Sequence, residues 1–321
     1  MLSRTADSLY WMARYTERAE NTARLIDIGL QQSLLPGQQR EAEASLAGML
    51  GLAELLPVYQ EKFGNVNPES VIRFMVLDED NPSSIWNSLH NARENARSVR
   101  GQITTGLWET TNATWLEFIK LCDEGLPLID PGKFFEWVQL RSHLSRGITI
   151  GTMIKDEAFR FIRLGTFLER ADSTARMIDL RFHQIETQDA HAGILDPDDP
   201  DYAVREFYHW EAVLRSLSAF EAYRKVYRDT ITGTRVAELL ILNPDMPRSI
   251  ASCMNEVVAN LQLVGNGNSA ETRRRAGKLA STLRYMTLEE IAEEGLHGWL
   301  TQFLADIDDL GVRMRQDFLV L

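Results

Sequence analysis

An internal repeat constrains the fold of this chain more than any other feature of its sequence. Residues 17–27 read ERAENTARLID, and residues 169–179 read ERADSTARMID, at a constant offset of 152. Eight of the eleven positions are identical, and the other three pairs are conservative. A match of this quality within one chain indicates a duplication. We therefore predict two related halves, over residues 1–150 and 151–321.

A second pair of segments extends the repeat and indicates an insertion. Residues 71–85 (VIRFMVLDEDNPSSI) align with residues 236–250 (VAELLILNPDMPRSI) at an offset of 165. Both run from apolar to acidic residues and then to Pro-x-Ser-Ile, which predicts a helix end, a turn and a new helix start. The offset has grown by 13, so the second half carries extra residues. The acidic segment 184–202 is predicted to be the inserted loop.

Apolar residues recur at helical spacing along both copies of the repeat. They run from Leu9 to Leu30 in the first copy and from Phe161 to Phe182 in the second. The period-two alternation of β-strands never persists. Further helices are predicted over 40–62, 69–77, 82–103, 105–123, 132–150, 203–228, 234–242, 247–264, 268–283, 286–293 and 297–319. The sequence therefore predicts an all-α bundle, built from two duplicated halves with pseudo-twofold internal symmetry and packed as one globular unit.

The overall charge limits the classes of partner to be expected. The chain has 46 acidic and 34 basic residues, a formal net charge of −12, whereas a nucleic-acid binder presents a basic face. No apolar run approaches the ~20 residues of a membrane span. The N-terminal segment is charged and lacks the apolar core of a signal peptide. We therefore expect a cytoplasmic protein that binds neither nucleic acid nor membrane.

Residues suited to metals or cofactors are sparse and scattered. Cys122 and Cys253 are isolated, which does not fit a zinc site or a disulfide framework. Residues 206–209 have the Glu-x-x-His spacing of di-iron bundles, but such a site needs a second copy of the motif, and the chain has none. Residues 265–269 lack the lysine and the spacing of a phosphate loop. We expect neither a metal nor a cofactor.

The charged and polar residues of the repeat form the leading candidate site. Helical spacing places Arg14, Glu17, Asn21 and Arg24 on one stripe of the first helix, with Arg18 on the next stripe. The second copy keeps Glu169 and Arg176 on the first stripe and Arg170 on the second. Surface residues drift after duplication, so retained charges suggest that both copies are buried or used. The candidates are Glu17, Arg18, Asn21, Arg24, Glu169, Arg170 and Arg176.

Two interpretations of this constellation remain open. In the structural one, Glu17 and Glu169 pair with arginines of the other half and specify how the halves dock. The acid-to-base pairs four residues apart, such as Glu20 with Arg24, contribute only about 0.2–0.5 kcal/mol each on an exposed helix. In the functional one, the arginines bind a carboxylate or phosphate, and the glutamates orient them.

Two other polar clusters are weaker candidates for contact with a ligand or partner. The first lies in the helix after Pro82 and at the start of the next helix, and comprises Arg93, Asn95, Arg97 and Glu109. The second is a compact polar and aromatic group in the second half, and comprises Glu221 and Arg224. Most clusters of this kind are the packed surface of amphipathic helices.

The chain resembles the bacterial alpha-E family, predicted all-helical proteins named for a conserved Glu-Arg motif. The resemblance covers essentially the full length. It rests on ERAENTAR, ERADSTAR, ARENAR at 92–97, WETTN at 108–112, KDEAFRFIRLGTFLERAD at 155–172, SAFEAYRKVY at 218–227 and DMPRSI at 245–250. The motif residues of the family map onto Glu17, Arg18, Glu169 and Arg170.

The resemblance also implies a functional context. Alpha-E proteins are typically encoded beside, or fused to, circularly permuted ATP-grasp proteins, which form amide bonds through acyl phosphates. The resemblance thus implies a non-catalytic helical partner or substrate-presenting subunit of an ATP-grasp peptide or amide ligase, acting on a small peptide or protein. Two alternatives stay open. One is an independent helical enzyme in which Glu17 or Glu169 acts as a general base, and the other is a pure structural scaffold.

Overall fold

The fold is all-α, as the sequence predicts. The computed structural model describes residues 1–33, 39–52, 54–192 and 200–319, and these form sixteen α-helices and no β-strand. The first half contains α1 (Ser3–Ser33), α2 (Gln39–Leu52), α3 (Leu56–Phe63), α4 (Pro68–Ile72), α5 (Ile85–Ser98), α6 (Thr105–Asp123), α7 (Leu126–Ile129) and α8 (Pro131–Thr152). The second contains α9 (Glu157–Ala192), α10 (Pro200–Ser216), α11 (Phe220–Val226), α12 (Gly233–Ala237), α13 (Ile250–Val264), α14 (Ala270–Tyr285), α15 (Leu288–Glu294) and α16 (Leu296–Phe318).

The elements of the two halves follow one another in the same order. The starts of α4, α5, α6 and α8 precede those of α12, α13, α14 and α16 by the same 165 residues that separate the aligned turns. In each half, the short helix α4 or α12 continues directly into one π-helical turn, at Arg73–Leu77 and Glu238–Leu242. This order fits the duplication that the sequence indicates, while the pseudo-twofold symmetry itself stays a prediction.

The Pro-x-Ser-Ile segments start helices because their serines cap them. The Oγ of Ser84 accepts a hydrogen bond from the backbone N of Asn87 at 3.1 Å, at the start of α5. The Oγ of Ser249 accepts one from the backbone N of Ser252 at 3.0 Å, at the start of α13. A capping oxygen satisfies a backbone donor that lacks a partner in the first helical turn. Both predicted helices are therefore present, and each begins three residues later than predicted, at Ile85 and Ile250.

The long helices α1 and α9 lie against each other and carry the two copies of the repeat. Helix α1 also packs against α5 and α8, and α9 packs against α13 and α16. The two long helices approach closely at Gly165, where an added Cβ would lie 2.2 Å from the backbone oxygen of Tyr10. This contact brings the polar residues of both repeats into one interface.

Two helices predicted as continuous are interrupted. The segment 40–62 forms α2 and α3, and the segment 203–228 forms α10 and α11. Each break contains a residue with left-handed backbone, Glu54 (φ 57°) and Ser218 (φ 51°). A helix of L-residues cannot continue through that conformation, so each helix ends there.

The predicted acidic loop begins later than the sequence suggests. Helix α9 continues to Ala192, so residues 184–192 are helical rather than part of a loop. The reason is that this stretch contains neither glycine nor proline, the residues that most strongly end a helix. Residues 193–199 of the predicted loop lie outside the described residues, and residues 200–202 belong to α10. None of the helices described is both long and apolar enough to cross a membrane.

Candidate functional site

The two Glu-Arg motifs pair with each other across the interface of α1 and α9. Arg170 donates from Nε to Glu17 Oε1 and from Nη2 to Glu17 Oε2, both at 2.9 Å. In the reverse direction, Arg18 donates from Nε to Glu169 Oε1 at 2.6 Å and from Nη2 to Glu169 Oε2 at 3.2 Å. Glu17 and Glu169 are only 2% and 5% exposed. Each motif glutamate is therefore buried and bound by two parallel hydrogen bonds from one edge, Nε and Nη2, of the other half's arginine.

Two further arginines enclose the first motif from α8 and from the turn before α13. Arg248 donates from Nη1 to Glu17 Oε1 at 3.1 Å and from Nη2 to Glu20 Oε1. Arg146 donates from Nη1 to Glu17 Oε2 at 3.0 Å and also to Glu20 Oε2. Glu20 is completely buried. The first motif thus lies at the centre of a network that joins four elements.

Arg24 and Asn21 extend this network along α1. Arg24 donates from Nε to Glu20 Oε1 at 2.9 Å and from Nη1 to Ser218 Oγ at 2.8 Å, which ties α1 to the break between α10 and α11. The Oδ1 of Asn21 accepts from Arg248 Nη1 at 3.1 Å. The Nδ2 of Asn21 is buried and has no acceptor among the residues described.

The position of Arg248 is fixed by contacts between α9 and the turn before α13. Thr174 Oγ1 donates to the backbone oxygen of Arg248 at 2.9 Å, and Arg170 Nη1 donates to that of Pro247 at 3.4 Å. The aligned position of the first half is Ser83, which cannot make the same ion pairs. The arginine of this turn therefore belongs to one half alone.

Around the second motif, the additional arginine comes from α1. Arg14 Nε donates to Glu169 Oε2 at 2.6 Å, and its guanidinium lies 5.2 Å from the centre of the Trp11 ring. Asp172 and Arg176 pair at 3.0 Å beside it, and the Arg176 side chain is about a third exposed. The name Glu-Arg cluster is used below for Glu17, Glu20, Glu169, Arg14, Arg18, Arg24, Arg146, Arg170 and Arg248.

The arginines keep the buried glutamates ionised. Burial raises the pKa of the Glu17 carboxyl, but the charges of Arg170 and Arg248 outweigh burial and leave the pKa below its usual value. Burial likewise opposes ionisation of Glu169, yet the two arginines of α1 lower its pKa to about 2. A carboxylate with so low a pKa is a poor proton acceptor near neutral pH. The environment of the motif therefore disfavours the general-base alternative.

The Glu-Arg cluster contains more positive than negative charge. Six arginines face three glutamates, which leaves an excess of three positive charges. Burial also lowers the pKa of the Arg248 guanidinium.

A cleft between α1, α8 and α9 reaches Glu17 and Arg146, but its volume is about 30 Å³. That is space for about one or two water molecules, so no carboxylate or phosphate substrate can reach the buried motif through it.

A wider cleft of about 200 Å³ reaches Arg14 from the side of α16. Two nitrogens of Arg14 are already engaged there, Nε by Glu169 and Nη1 by the Tyr10 hydroxyl at 3.2 Å. The geometry at both clefts therefore fits the structural interpretation of the repeat better than the ligand-binding one.

The candidates on α5 and α6 form a separate surface network. Arg93 donates from Nε to Asn112 Oδ1 at 2.9 Å, which links α5 to α6. Arg93 and Arg97 both bind the carboxylate of Glu94. Asn95 donates to its own helix, at the backbone oxygen of Asn91, and Glu109 is exposed. None of these contacts reaches the Glu-Arg cluster.

The candidates on α11 are also outside the cluster. Glu221 and Arg224 are exposed, and the Arg224 guanidinium lies 5.9 Å from the centre of the Phe220 ring. The buried member of this segment is Tyr223, whose hydroxyl donates to the backbone oxygen of Thr230 at 2.9 Å. The segment is thus held by its tyrosine, and its charged residues face solvent.

The described residues hold no group of three or more histidine, cysteine, aspartate or glutamate side chains placed to bind a metal ion. Within the Glu-x-x-His segment, Glu206 Oε1 accepts a hydrogen bond from the backbone N of Gly233 at 3.1 Å. This glutamate therefore anchors the start of α12.

The sequence analysis placed Arg14 on the stripe of the motif but left Arg14, Arg146 and Arg248 out of the candidate site. The sequence contained a signal for Arg248, because an arginine stands in DMPRSI where the aligned NPSSI segment has Ser83. Arg146 lies outside both repeats, so its role depends on the packing of α8 against α1, which no local pattern specifies.

The fold and the site define a class of protein: an all-helical protein whose two central helices are joined by reciprocal Glu-Arg pairs. A family model agrees with the helical fold and with the Glu-Arg motif. The model of the Alpha-E family, described as a predicted alpha-helical domain with a conserved ER motif, matches residues 1–319. The chain belongs to this family.

Its curated relatives include uncharacterized proteins of Mycobacterium bovis and of two strains of Mycobacterium tuberculosis. Each is 21% identical to this chain over 332 aligned residues, which cover 95% of this chain and 35% of the relative. The chain thus spans about a third of the length of the curated relatives it matches. No solved structure matches it.

Proposed function

We propose that this chain is a non-catalytic helical partner, or substrate-presenting subunit, of an ATP-grasp peptide or amide ligase. The family resemblance implies the ligase. The mycobacterial relatives support a partner role, because about two-thirds of each relative is further polypeptide attached to this domain. The Glu-Arg cluster supports a non-catalytic role for the motif, because its glutamates are ionised, buried and paired with arginines.

The observation that carries a docking role is a set of exposed apolar side chains along α8. Leu140, Leu144 and Ile150 are 57%, 45% and 55% exposed, and Ile154, just beyond the helix, is 81% exposed. These four residues are called the α8 stripe below. Contiguous exposed apolar residues mark surfaces that bind other proteins, and Leu140 and Leu144 lie one turn apart on the same side of α8. The α8 stripe is therefore the docking surface that we assign to the ligase.

The α8 stripe belongs to the first half only. The positions aligned with its three helical members are Ala305, Asp309 and Arg315 on α16, of which two are charged. A charged surface there would not bind the same apolar partner face, because burying unpaired charge is costly. The proposal therefore includes one ligase per chain.

An affinity purification of the tagged full chain from its native cells tests this proposal. Three proteins are compared: the wild type, a variant with glutamate at the three helical positions of the α8 stripe, and a matched control. The control carries three glutamates at exposed apolar positions elsewhere, Tyr208→Glu, Val226→Glu and Leu263→Glu, which are 64%, 52% and 63% exposed. Mass spectrometry identifies the retained proteins, and the recovered complexes are assayed for ADP release with candidate acids and amines.

The expected result is that an ATP-grasp protein is recovered in near-equal amount with the wild type and the control, and is lost with the α8 variant. Recovery with all three proteins would contradict the docking surface. Failure of the wild type to retain any ATP-grasp protein would contradict the ligase partnership.

A further inference from the structure

A cleft of about 570 Å³ lies between α14, α15 and α16, and no residue of the Glu-Arg cluster or of the α8 stripe lines it. Pockets that hold small molecules in proteins typically measure about 300–1,000 Å³. Its floor is apolar and includes Trp299 and Phe303, whose rings stack with centres 5.6 Å apart. In size and floor, the cleft matches a small-molecule site.

Charges of opposite sign lie on opposite sides of this cleft. Helix α14 supplies the basic side, with Arg274, Arg275 and Lys278. The acidic side consists of Asp306 and Asp309 on α16 and Glu294 at the end of α15. The three charges of each sign balance, so the cleft selects neither a cation nor an anion as a whole. It suits a molecule that carries one charge of each sign.

The corresponding space in the first half is filled by side chains. Residues 165 positions earlier include Trp137 and Arg141 on α8, which reach across to α6. Trp137 Nε1 donates to Glu117 Oε2 at 3.3 Å, and Arg141 Nε donates to Thr114 Oγ1 at 2.8 Å. The cavity that touches Thr114, Trp137 and Arg141 measures only about 20 Å³.

In the second half, the aligned side chains do not cross the gap. Gln302 and Asp306 replace the tryptophan and the arginine, and Gln302 Nε2 donates to Asp306 Oδ1 at 3.3 Å along the same helix. An ion pair between Arg275 and Asp309, at 2.7 Å, joins α14 to α16 beside the opening. The cleft is thus a feature of this half, and a cross-helix contact holds its walls.

Two charged groups of the walls are available for a ligand. Within the part of the chain that the structure describes, neither Lys278 nor Glu294 forms an ion pair, and both are exposed at the cleft. Arg274, in contrast, is engaged by Glu271 at 2.7 Å. Lys278 and Glu294 can therefore accept a charged partner without giving up an existing one.

We propose that this cleft binds a small zwitterion with an apolar side chain, that is, an amino acid or a short peptide. Its carboxylate pairs with Lys278, its ammonium group pairs with Glu294, and its side chain packs on the floor of Trp299 and Phe303. The proposal stands independently of the ligase, because it rests on the cleft alone.

Calorimetric titration of the full chain with the dipeptide Phe-Phe tests the site. Three further ligands separate its parts: N-acetyl-Phe-Phe lacks the cation, Phe-Phe amide lacks the anion, and L-phenylalanine separates a free amino acid from a peptide. We expect saturable binding of Phe-Phe, and about ten-fold weaker binding of each capped dipeptide, because each loses one charge-assisted contact.

Variants of the cleft locate the binding. Thr282→Trp places an indole into the cleft and should abolish binding, whereas Lys120→Trp places the same indole on an exposed position of α6 and should not. Lys278→Gln should weaken Phe-Phe by about ten-fold without weakening the amide further. Glu294→Gln should also weaken the binding of Phe-Phe by about ten-fold, but it should not weaken the binding of N-acetyl-Phe-Phe further, because that peptide has no ammonium group to lose.

Three outcomes would overturn the inference. The first is the absence of saturable binding of both Phe-Phe and L-phenylalanine to the wild type. The second is binding that persists unchanged in Thr282→Trp, which would place the ligand elsewhere. The third is equal affinity for free and capped dipeptides, which would show that the two charges are not recognised.

Discussion

Each arginine of the reciprocal pairs neutralises the charge of a glutamate that is almost fully buried. Arg170→Ala leaves the Glu17 carboxylate buried without its bidentate partner, and removal of one member of such a pair typically costs about 3–5 kcal/mol. We expect a loss of unfolding free energy of that size in urea denaturation. A double-mutant cycle with Glu17→Gln should show strong coupling between the two residues.

Arg224→Ala is the matched control for that change, because Arg224 is exposed and lies outside the cluster. Its effect should stay within about 0.5 kcal/mol. A loss below about 1 kcal/mol for Arg170→Ala would show that the reciprocal pairs do not hold the halves together.

A substitution at Asn21 can test whether the excess of positive charge in the Glu-Arg cluster affects stability. Asn21→Asp keeps the shape, removes a buried Nδ2 without an acceptor and places a negative charge at the Oδ1 position, 3.1 Å from Arg248 Nη1. We expect the variant to be more stable by about 1 kcal/mol, from urea denaturation at neutral pH. Asn95→Asp is the control, because Asn95 Nδ2 already donates to a backbone oxygen. Destabilisation by Asn21→Asp would mean that repulsion from the nearby glutamates dominates.

Glu169 should make stability depend on pH in the acidic range. Its pKa is about 2 in the folded protein and 4.5 as a free group, so between these values the unfolded chain binds more protons. Its contribution to stability is therefore fully present above pH 4.5 and is lost as the pH falls toward 2. The unfolding free energy of the wild type and of Glu169→Gln should differ more at about pH 5 than at about pH 3. An equal difference at both pH values would contradict the lowered pKa.

At the scale of elements, the crossing of α1 and α9 depends on one glycine. Alanine favours a helix interior over glycine by about 1 kcal/mol, but the Cβ of Gly165→Ala would meet the Tyr10 backbone at 2.2 Å. We expect steric conflict to dominate and the melting temperature to fall. Gly147→Ala, in α8 with no atom within 4 Å of the added Cβ, should raise it. Stabilisation by both changes would show that the two helices can separate without cost.

The sequence predicted helices where the pattern was long and capped, and failed where a single backbone conformation decides the outcome. The starts of α5 and α13 were predicted to within three residues, because the Pro-x-Ser-Ile pattern contains the residue that caps each helix. The breaks at Glu54 and Ser218 were not, because neither glutamate nor serine is a residue type that favours left-handed backbone. At the site, the repeat identified the motif residues. Arg146 could not be predicted, because it reaches the motif only through the packing of α8 against α1, which are distant in sequence.

At the scale of the whole molecule, the two halves share a core. The larger buried cluster includes Leu9 and Tyr10 of α1 together with Leu164 and Phe167 of α9. We expect fragments 1–152 and 153–321 to be unstable alone, because each would expose the apolar face that it buries against the other. Produced together, they should associate in equal amounts and recover one cooperative unfolding transition, measured by circular dichroism and analytical ultracentrifugation.

Arg18→Ala in the first fragment should weaken that association, whereas Arg97→Ala, on the surface of α5, should not. Cooperative unfolding of each fragment alone, without association, would contradict the packing of the halves as one unit.

The reciprocal pairs also bear on how such a chain can arise. A helix whose adjacent glutamate and arginine meet an arginine and a glutamate in the opposite order is self-complementary, which is the property of the interface of a symmetric dimer. One copy of this motif contains everything needed to bind a second copy of itself. Once two copies share one chain, they are free to differ. Arg146 and Arg248, aligned with Gly311 and Ser83, are differences of this kind, and a symmetric dimer of identical chains could not place them on one side of the pair alone.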